Sequence, residues 1–448
     1  MEIVDFLNEY IFGVGVPIIL IGAGLFFCVR LGFFHFLHPA KVIKALRSES
    51  GKDEKGVSSF GAVSLALAGT LGVGNMVGVA SAIVLGGFGA IFWMWISALV
   101  AMVLKYAEIV LAMRYRRFDK EGRPYGAAMY YIHKGLGGKL IGRAVACVFA
   151  VLCIINAISM GGMIQVNAAA GAMQGVFGVE PILIGIIFAS VLVWTMIRGR
   201  DGILSVTEKL VPFMTAGFLL LSVAVICVYP RNVVNAFSMI FKNAFNLRSG
   251  VGGVVGFLTS NAIRYGTMRG ILSNEAGCGT APAAHSVSNC KIPAKQGVWG
   301  IFEVFVDTIL LCTLTAITII VAYDKLEISN NFMMVTVDAY SSLLGDFSGY
   351  FIAVSVLLFG LATVLCWGHY GIEGVRFLSK KKTAKISFIV VYSFAVLFGS
   401  VISPDIIWDG ADLSIGAMTV INVIVLLKLN AEVRKETELY FFDERKKK

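Results

Sequence analysis

Apolar runs of about 19 residues recur along the whole chain, and nothing else in it constrains the fold as tightly. They lie near 11–29, 58–86, 89–113, 144–176, 182–197, 209–228, 250–287, 296–322, 348–377, 386–403 and 411–428, which predicts about eleven membrane-spanning helices and an all-α integral membrane protein. With 57% of its 448 residues hydrophobic and 15% charged, the chain lacks the polar surface that a soluble protein of this length needs. The eight cysteines sit mostly inside the apolar runs without a CxxC pair, so they read as small buried side chains, not as disulfides or metal ligands. Five histidines without an HExxH pattern argue equally against a zinc site. The opening MEIVDFLNEY is acidic, unlike the basic start of a cleavable signal peptide.

A net charge of +10 raises the question of a nucleic-acid partner, and the distribution of the charge answers it. The loops at 30–57, 114–143, 198–209, 291–295 and 376–385, with the tail from 428, hold 31 of the 38 Lys and Arg residues. The opposite loops hold Arg231, Lys242, Arg248 and Lys325. The positive-inside rule then predicts an outside N-terminus and a cytoplasmic C-terminus, which an odd number of spans also requires. The closing basic tail reads as a solvated anchor facing lipid, with no nucleic acid involved.

Two of the runs are poorly built for a membrane. Residues 66–86, ALAGTLGVGNMVGVASAIVLG, place Gly69, Gly72, Gly74, Gly78, Thr70 and Asn75 in mid-span. Residues 264–286, RYGTMRGILSNEAGCGTAPAAHS, carry Arg264, Arg269, Asn274, Glu275 and Pro282 with four glycines. Glycine weakens a helix interior by about 1 kcal/mol against alanine, and an unpartnered amide in hydrocarbon costs several kcal/mol. Close packing through small residues, as at Gly74 and Gly78, is one explanation. Placement favours another. With the first helix and its loop (1–57) set aside as an extra, residues 58–228 and 250–428 form two sets of five helices ahead of the tail at 429–448. Each weak run opens one set, and the two sets have opposite orientation. Paired, interrupted spans at matching places mark the binding site of a secondary transporter. A helix broken there exposes N–H groups that suit a carboxylate and carbonyls that suit a cation.

The motifs GTLGVGNMVGVASAI…GGFGAIFWMWISALVAMVLKYAE (69–108), RGILSNEAGCGTAPAAHS (269–286) and LATVLCWGHYGIE (361–373), with a weaker echo in DLSIGAMTVINVIVLL (412–427), resemble those of the alanine or glycine:cation symporter (AGCS) family. The resemblance implies a LeuT-like fold of two inverted five-helix repeats plus one extra N-terminal helix. It also implies sodium-driven uptake of alanine, and often glycine, across the plasma membrane, with no cofactor beyond the co-transported ion. By the same resemblance Gly72, Val73 and Gly74 cradle the substrate carboxylate. The carbonyls of Ala68 and Leu71 with the hydroxyl of Thr363 hold sodium, and Thr70 and Asn75 match a second cation position. Trp367 walls the pocket, and Gly161, Gly162 and Gln165 of the fourth helix face the substrate. Ala362, Cys366, Gly368 and Ile421 depart from the usual pattern.

The remaining membrane charges have readings of their own. Lys105 and Glu108, three apart on one helix, read as a local ion pair or a snorkelling lysine. Glu303 and Asp307, four apart, are expected to pair with Arg264 or Arg269. Glu275 is expected to satisfy N–H groups beside the second break. No GxSG or HExxH occurs, and GTLGVGN neither follows a strand nor has GxGxxG spacing, so an enzyme is disfavoured. A channel would need a repeated filter motif. The nearest rival is a transporter of the same architecture that moves another small neutral amino acid or couples to protons.

Overall fold

The structure is a computed structural model and describes residues 15–47, 56–245, 261–328 and 331–442. The beginnings of the predicted spans 11–29 and 250–287, and the end of the basic tail, lie outside these residues. The described chain is helical almost throughout; its one sheet is a hairpin that pairs Arg117–Phe118 with Pro124–Tyr125. α1 (Val16–Arg30) opens with a proline in its first turn, where the missing N–H costs nothing. α2 (Ser59–Thr70) is capped by the Ser58 hydroxyl, which accepts the Gly61 N–H at 2.9 Å. It stops at Thr70, and the chain resumes as α3 (Val77–Gly86). Then follow α4 (Ala90–Tyr115), α5 (Leu140–Phe177), α6 (Pro181–Ile197), α7 (Arg200–Val228) and α8 (Pro230–Ala244). α9 (Asn261–Asn274) and α10 (Ala281–His285) precede α11 (Pro293–Lys325), α12 (Phe332–Leu344), α13 (Asp346–Leu378), α14 (Lys382–Gly399), α15 (Pro404–Lys428) and α16 (Asn430–Phe441).

Among the described residues seven helices are long and apolar enough to cross a membrane, or eight if the bent pair α2–α3 is one span. The expectation of about eleven also counted α1 and α6, which have 15 and 17 residues, and the interrupted run that became α9 and α10. Helices also fall where only loops or tail were expected: short ones at Phe34–Leu37, Pro39–Arg47 and Ala128–Gly135, then α8, α12 and α16. α8 buries Val233, Ala236 and Ile240 on one face, and α12 is a short apolar helix. The helices sort into layers. α4 has 83% of its apolar stretch buried against 28% for α7, so α4 belongs to the inside of the bundle and α7 to its periphery.

The two weak segments lie antiparallel, side by side, and touch at three levels. At one end Val57 donates its N–H to Val287 O (3.0 Å) and accepts from Asn289 N (2.7 Å). In the middle Asn75 Nδ2 reaches Ser273 Oγ at 3.2 Å. At the other end a Cβ on Gly86 would lie 3.0 Å from Tyr265 Cβ and 3.1 Å from Asn261 O, so glycine lets the backbones meet a few tenths of an ångström closer there than a side chain would. The basic loops converge: Arg30 bonds Asn430, Arg114 bonds Glu432, Arg116 reaches the carbonyls of Ser288 and Cys290, and Arg123 pairs with Asp201.

Candidate functional site

The first break is built from backbone. Leu71 sits at φ −75° and ψ 70°, and Gly72 N turns back to Thr70 O at 2.8 Å, an inverse γ-turn. Gly72 is extended, Val73–Asn75 make one 3₁₀ turn, and α3 departs at 61° to α2. The Val73 N–H donates to Gln165 Oε1 at 3.1 Å, and Gln165 Nε2 donates to Met160 O at 3.2 Å. That reach of five residues crosses a π turn at Ser159–Met163, which widens α5 beside the break. Across the break, Thr363 Oγ1 lies 2.9 Å from Ala68 O and 3.0 Å from Phe359 O, so one proton is shared between the facing segment and its own helix. A Cβ on Gly72 would fall 2.7 Å from Thr363 Oγ1 and 2.8 Å from Gln165 Oε1. Ala68, Gly72, Val73, Gln165 and Thr363 therefore surround one point.

The second break is a loop with glycine where the backbone demands it. After α9 ends at Asn274, Glu275, Gly277 and Gly279 all have positive φ (54°, 86° and 79°). A Cβ would strike Leu20 at Gly277 and Phe149 at Gly279, so conformation and space both exclude other residues. Gly74 packs on Ser273, with a hypothetical Cβ 3.5 Å from Ser273 Cα. Asp307 ties the breaks together. It accepts from Asn75 Nδ2 at 2.8 Å, from Ser273 Oγ at 2.7 Å and from Thr308 Oγ1 at 2.8 Å. Asn75 Oδ1 stays buried with no protein donor among the described residues. An N–H held only by a neutral amide, facing oxygens and a buried carboxylate can hold an anionic group and a hard cation close together.

The predicted residues fare differently. Of the carboxylate cradle, the Gly72 N–H is used in the γ-turn and the Val73 N–H meets Gln165. Leu71 is buried in that turn. Trp367 is fully buried against Gly161, where a Cβ would clash with the indole, and packs edge-on to Tyr370 at 5.4 Å. Gly162 faces Tyr392 and Val396 of α14. Thr70 bonds back to Ala66 O of its own helix while Asn75 turns to Asp307 and Ser273, so those two do not share a partner. Cys366, marked as a departure, donates its thiol to Leu65 O at 2.9 Å.

Three charge readings need correction. Lys105 does not pair with Glu108: it meets Glu303 Oε1 at 3.0 Å and Asn274 O at 2.7 Å. Glu303, expected to meet an arginine, pairs with Lys105 and His285 instead, and Asp307 with the amide and hydroxyls above. The cause is a π turn at Phe305–Cys312, which shifts the face that sequence spacing assigns to Asp307. Glu275 takes the Thr280 hydroxyl at 2.7 Å, and the N–H of Gly279 goes to Glu108 at 2.9 Å. Ser273 went unnoticed although it stands inside the SNEAG run, the signal that could have found it.

Comparison with known proteins places this geometry. The model of the sodium:alanine symporter family matches residues 1–448. A sodium/alanine symporter, AgcS, of Methanococcus maripaludis is 33% identical over 98% of this chain and 97% of its own. The amino-acid carrier protein AlsT of Bacillus subtilis is 35% identical over 95% and 88%, and a probable sodium/glutamine symporter, GlnT, of the same organism is 32% identical over 96% and 89%. Among solved structures, a sodium-coupled sialic acid symporter superposes with a TM-score of 0.55 at 12% identity, covering 98% of this chain and 87% of its own, and shares the fold. An Eremococcus coleocola manganese transporter superposes at 0.51 with 14% identity over 86% and 88%. The chain is an integral membrane transporter, not an enzyme, and it belongs to the sodium:alanine symporter family.

Proposed function

We propose that this chain couples sodium to the uptake of alanine, and of glycine, by alternating access in the plasma membrane. One observation carries the reading: the breaks of two antiparallel segments meet, with cation-seeking oxygens and an anion-seeking N–H surrounding one point. In this scheme residues 58–228 and 250–428 are inverted repeats of an eleven-span fold. The N-terminus lies outside, the basic loops and tail lie cytoplasmic against lipid, and the convergence of those loops supports that orientation.

Sodium enters between Ala68 O, Leu71 O and the Thr363 hydroxyl, exchanging the Thr363–Ala68 contact for two ion–oxygen contacts. The substrate carboxylate takes the N–H of Val73 from the neutral Gln165 amide and gains that of Gly74. The ammonium turns to the oxygen side, where Asn75 Oδ1 and Asp307 stand. The close contacts at Gly69, Gly72 and Gly161 leave little width beside the break and disfavour a side chain of glutamine length. One sodium crossing about 100 mV contributes roughly 2.3 kcal/mol before any concentration gradient.

The test is counterflow of labelled alanine into proteoliposomes loaded with unlabelled alanine. Label is expected to accumulate in sodium and not in potassium. Equal accumulation in both, or competition by glutamine as strong as by alanine, overturns the assignment.

A further inference from the structure

α4 lies mostly inside the bundle, yet it carries Lys105 and Glu108, both completely buried. Removing two such charges from water costs several kcal/mol each unless their partners are well placed. The transport scheme above uses neither. They stand three residues apart, about 4.5 Å along the helix, on one face. Instead of pairing with each other they reach the two lips of the second break. Lys105 Nζ donates to the carbonyl of Asn274, the last residue of α9, where the carbonyl end of a helix attracts a cation. Glu108 Oε1 accepts the Gly279 N–H beyond the loop. Each prong has its own backing. Glu303 holds Lys105 and is itself held by His285 at 3.2 Å. Asn422 donates to Glu108 and to Gly277 O at 2.9 Å, and accepts the Tyr131 hydroxyl.

We propose that Lys105 and Glu108 are positioning residues which set the width of the second break and thereby place Ser273 against Asn75. The chain of contact is short. Ser273 directly precedes Asn274, so a shift of the α9 terminus moves the hydroxyl that meets Asn75 Nδ2 and Asp307 Oδ2. Neither residue touches substrate. Each acts through the backbone it holds. The inference rests on the transport reading only for its readout, and wild-type uptake in the same vesicles separates the two: failure of wild type concerns the reading, and wild-type behaviour of the variants concerns the brace.

The measurement is half-saturation for alanine and for sodium, normalised to folded transporter, in Glu108→Gln and Glu108→Asp. Gln keeps an acceptor oxygen at the same reach without charge. Asp keeps the charge but falls short by one bond, about 1.5 Å. A brace predicts that Glu108→Asp raises half-saturation about tenfold while Glu108→Gln stays within about threefold, since misplacing a site by an ångström is felt that strongly. The reverse order means the charge itself matters, and equal wild-type values mean no brace; either overturns the proposal. The double variant Lys105→Met/Glu303→Gln removes the buried ion pair without stranding a charge. It is expected to recover thermal stability and keep a raised half-saturation. Wild-type half-saturation in this variant shows that Lys105 only neutralises Glu303, and overturns the lysine half of the proposal.

Discussion

The two breaks interrupt the backbone alike and hold it with opposite materials. At the first, a γ-turn, a glycine and the neutral amide of Gln165 hold the backbone, and the Asp307 carboxylate reaches only the Asn75 side chain. At the second, Lys105 and Glu108 grip the lips, and Glu275 grips the Thr280 hydroxyl. A neutral hydrogen bond contributes about 1 kcal/mol net, and one to a charged group roughly twice that. The first break can therefore trade its partner for a ligand at small cost, while the second resists exchange. A partner that exchanges easily marks the place where cargo is taken up; buried charge marks the scaffold against which it is measured.

Stranding a buried charge should break that scaffold, and this is the largest effect expected. Lys105→Met strands Glu303, with Glu275 and Glu108 nearby, and losing one partner of a buried pair costs about 3–5 kcal/mol. The variant should show the deepest fall in thermal midpoint of any described here, together with loss of uptake. An unchanged midpoint would mean that the second break is as lightly held as the first, and the contrast between them would disappear.

At the first break the expected injury is to function and not to fold. Gly72→Ala puts a methyl against Thr363 Oγ1 and Gln165 Oε1, and uptake should fall about a hundredfold with the midpoint nearly preserved. Gly78→Ala, four residues before Ala82 in the same segment, meets nothing within 4 Å and should transport normally. Equal losses in both would assign the glycines to helix packing. Thr363→Ala is milder. It removes one hydroxyl from the proposed ion site, so half-saturation for sodium should rise about tenfold while uptake at saturating sodium is largely kept. Unaltered sodium dependence would move the ion elsewhere.

What could be read from the amino-acid order follows from how far each interaction reaches. Seven of the spans, or eight with the bent pair, were legible because twenty apolar residues in a row have one outcome in lipid. The broken segments were legible because Gly72, Gly74 and Asn75, or Asn274 and Gly277, stand where unbroken helices avoid them. Thr363 and Gln165 were found through resemblance, and the structure brings both to Gly72. Partners were a different matter. Lys105 and Glu303 are nearly 200 positions apart, and neighbours in sequence proposed a pairing that the fold does not use. Spacing rules assume 3.6 residues per turn, and the π turn at Phe305–Cys312 violates them beside the site, where Asp307 meets Asn75 and Ser273; Gly162, placed by resemblance, turns to Tyr392 and Val396 instead. The helices α8 and α12 were missed because a helix of 15 or 13 residues carries no span-length signal.

The smallest effect sharpens the comparison from outside the breaks. Arg114 on α4 pairs with Glu432 at 2.6 Å and with Glu436, shorter contacts than the 3.0 Å between Lys105 and Glu303 on the same helix. Ranked by distance, the Arg114 pairs would be the stronger. Ranked by exposure the order reverses: Arg114 and Glu432 are 35% and 29% exposed, where water and salt screen the attraction, against 0% and 1% for the buried pair. Arg114→Ala should lower stability by less than about 1 kcal/mol, with unchanged half-saturation for alanine and sodium, and added salt should narrow even that difference. Should it cost as much as Lys105→Met, proximity and not burial would set the worth of a charge in this protein. The second break would then owe nothing to the dry surroundings of its two prongs.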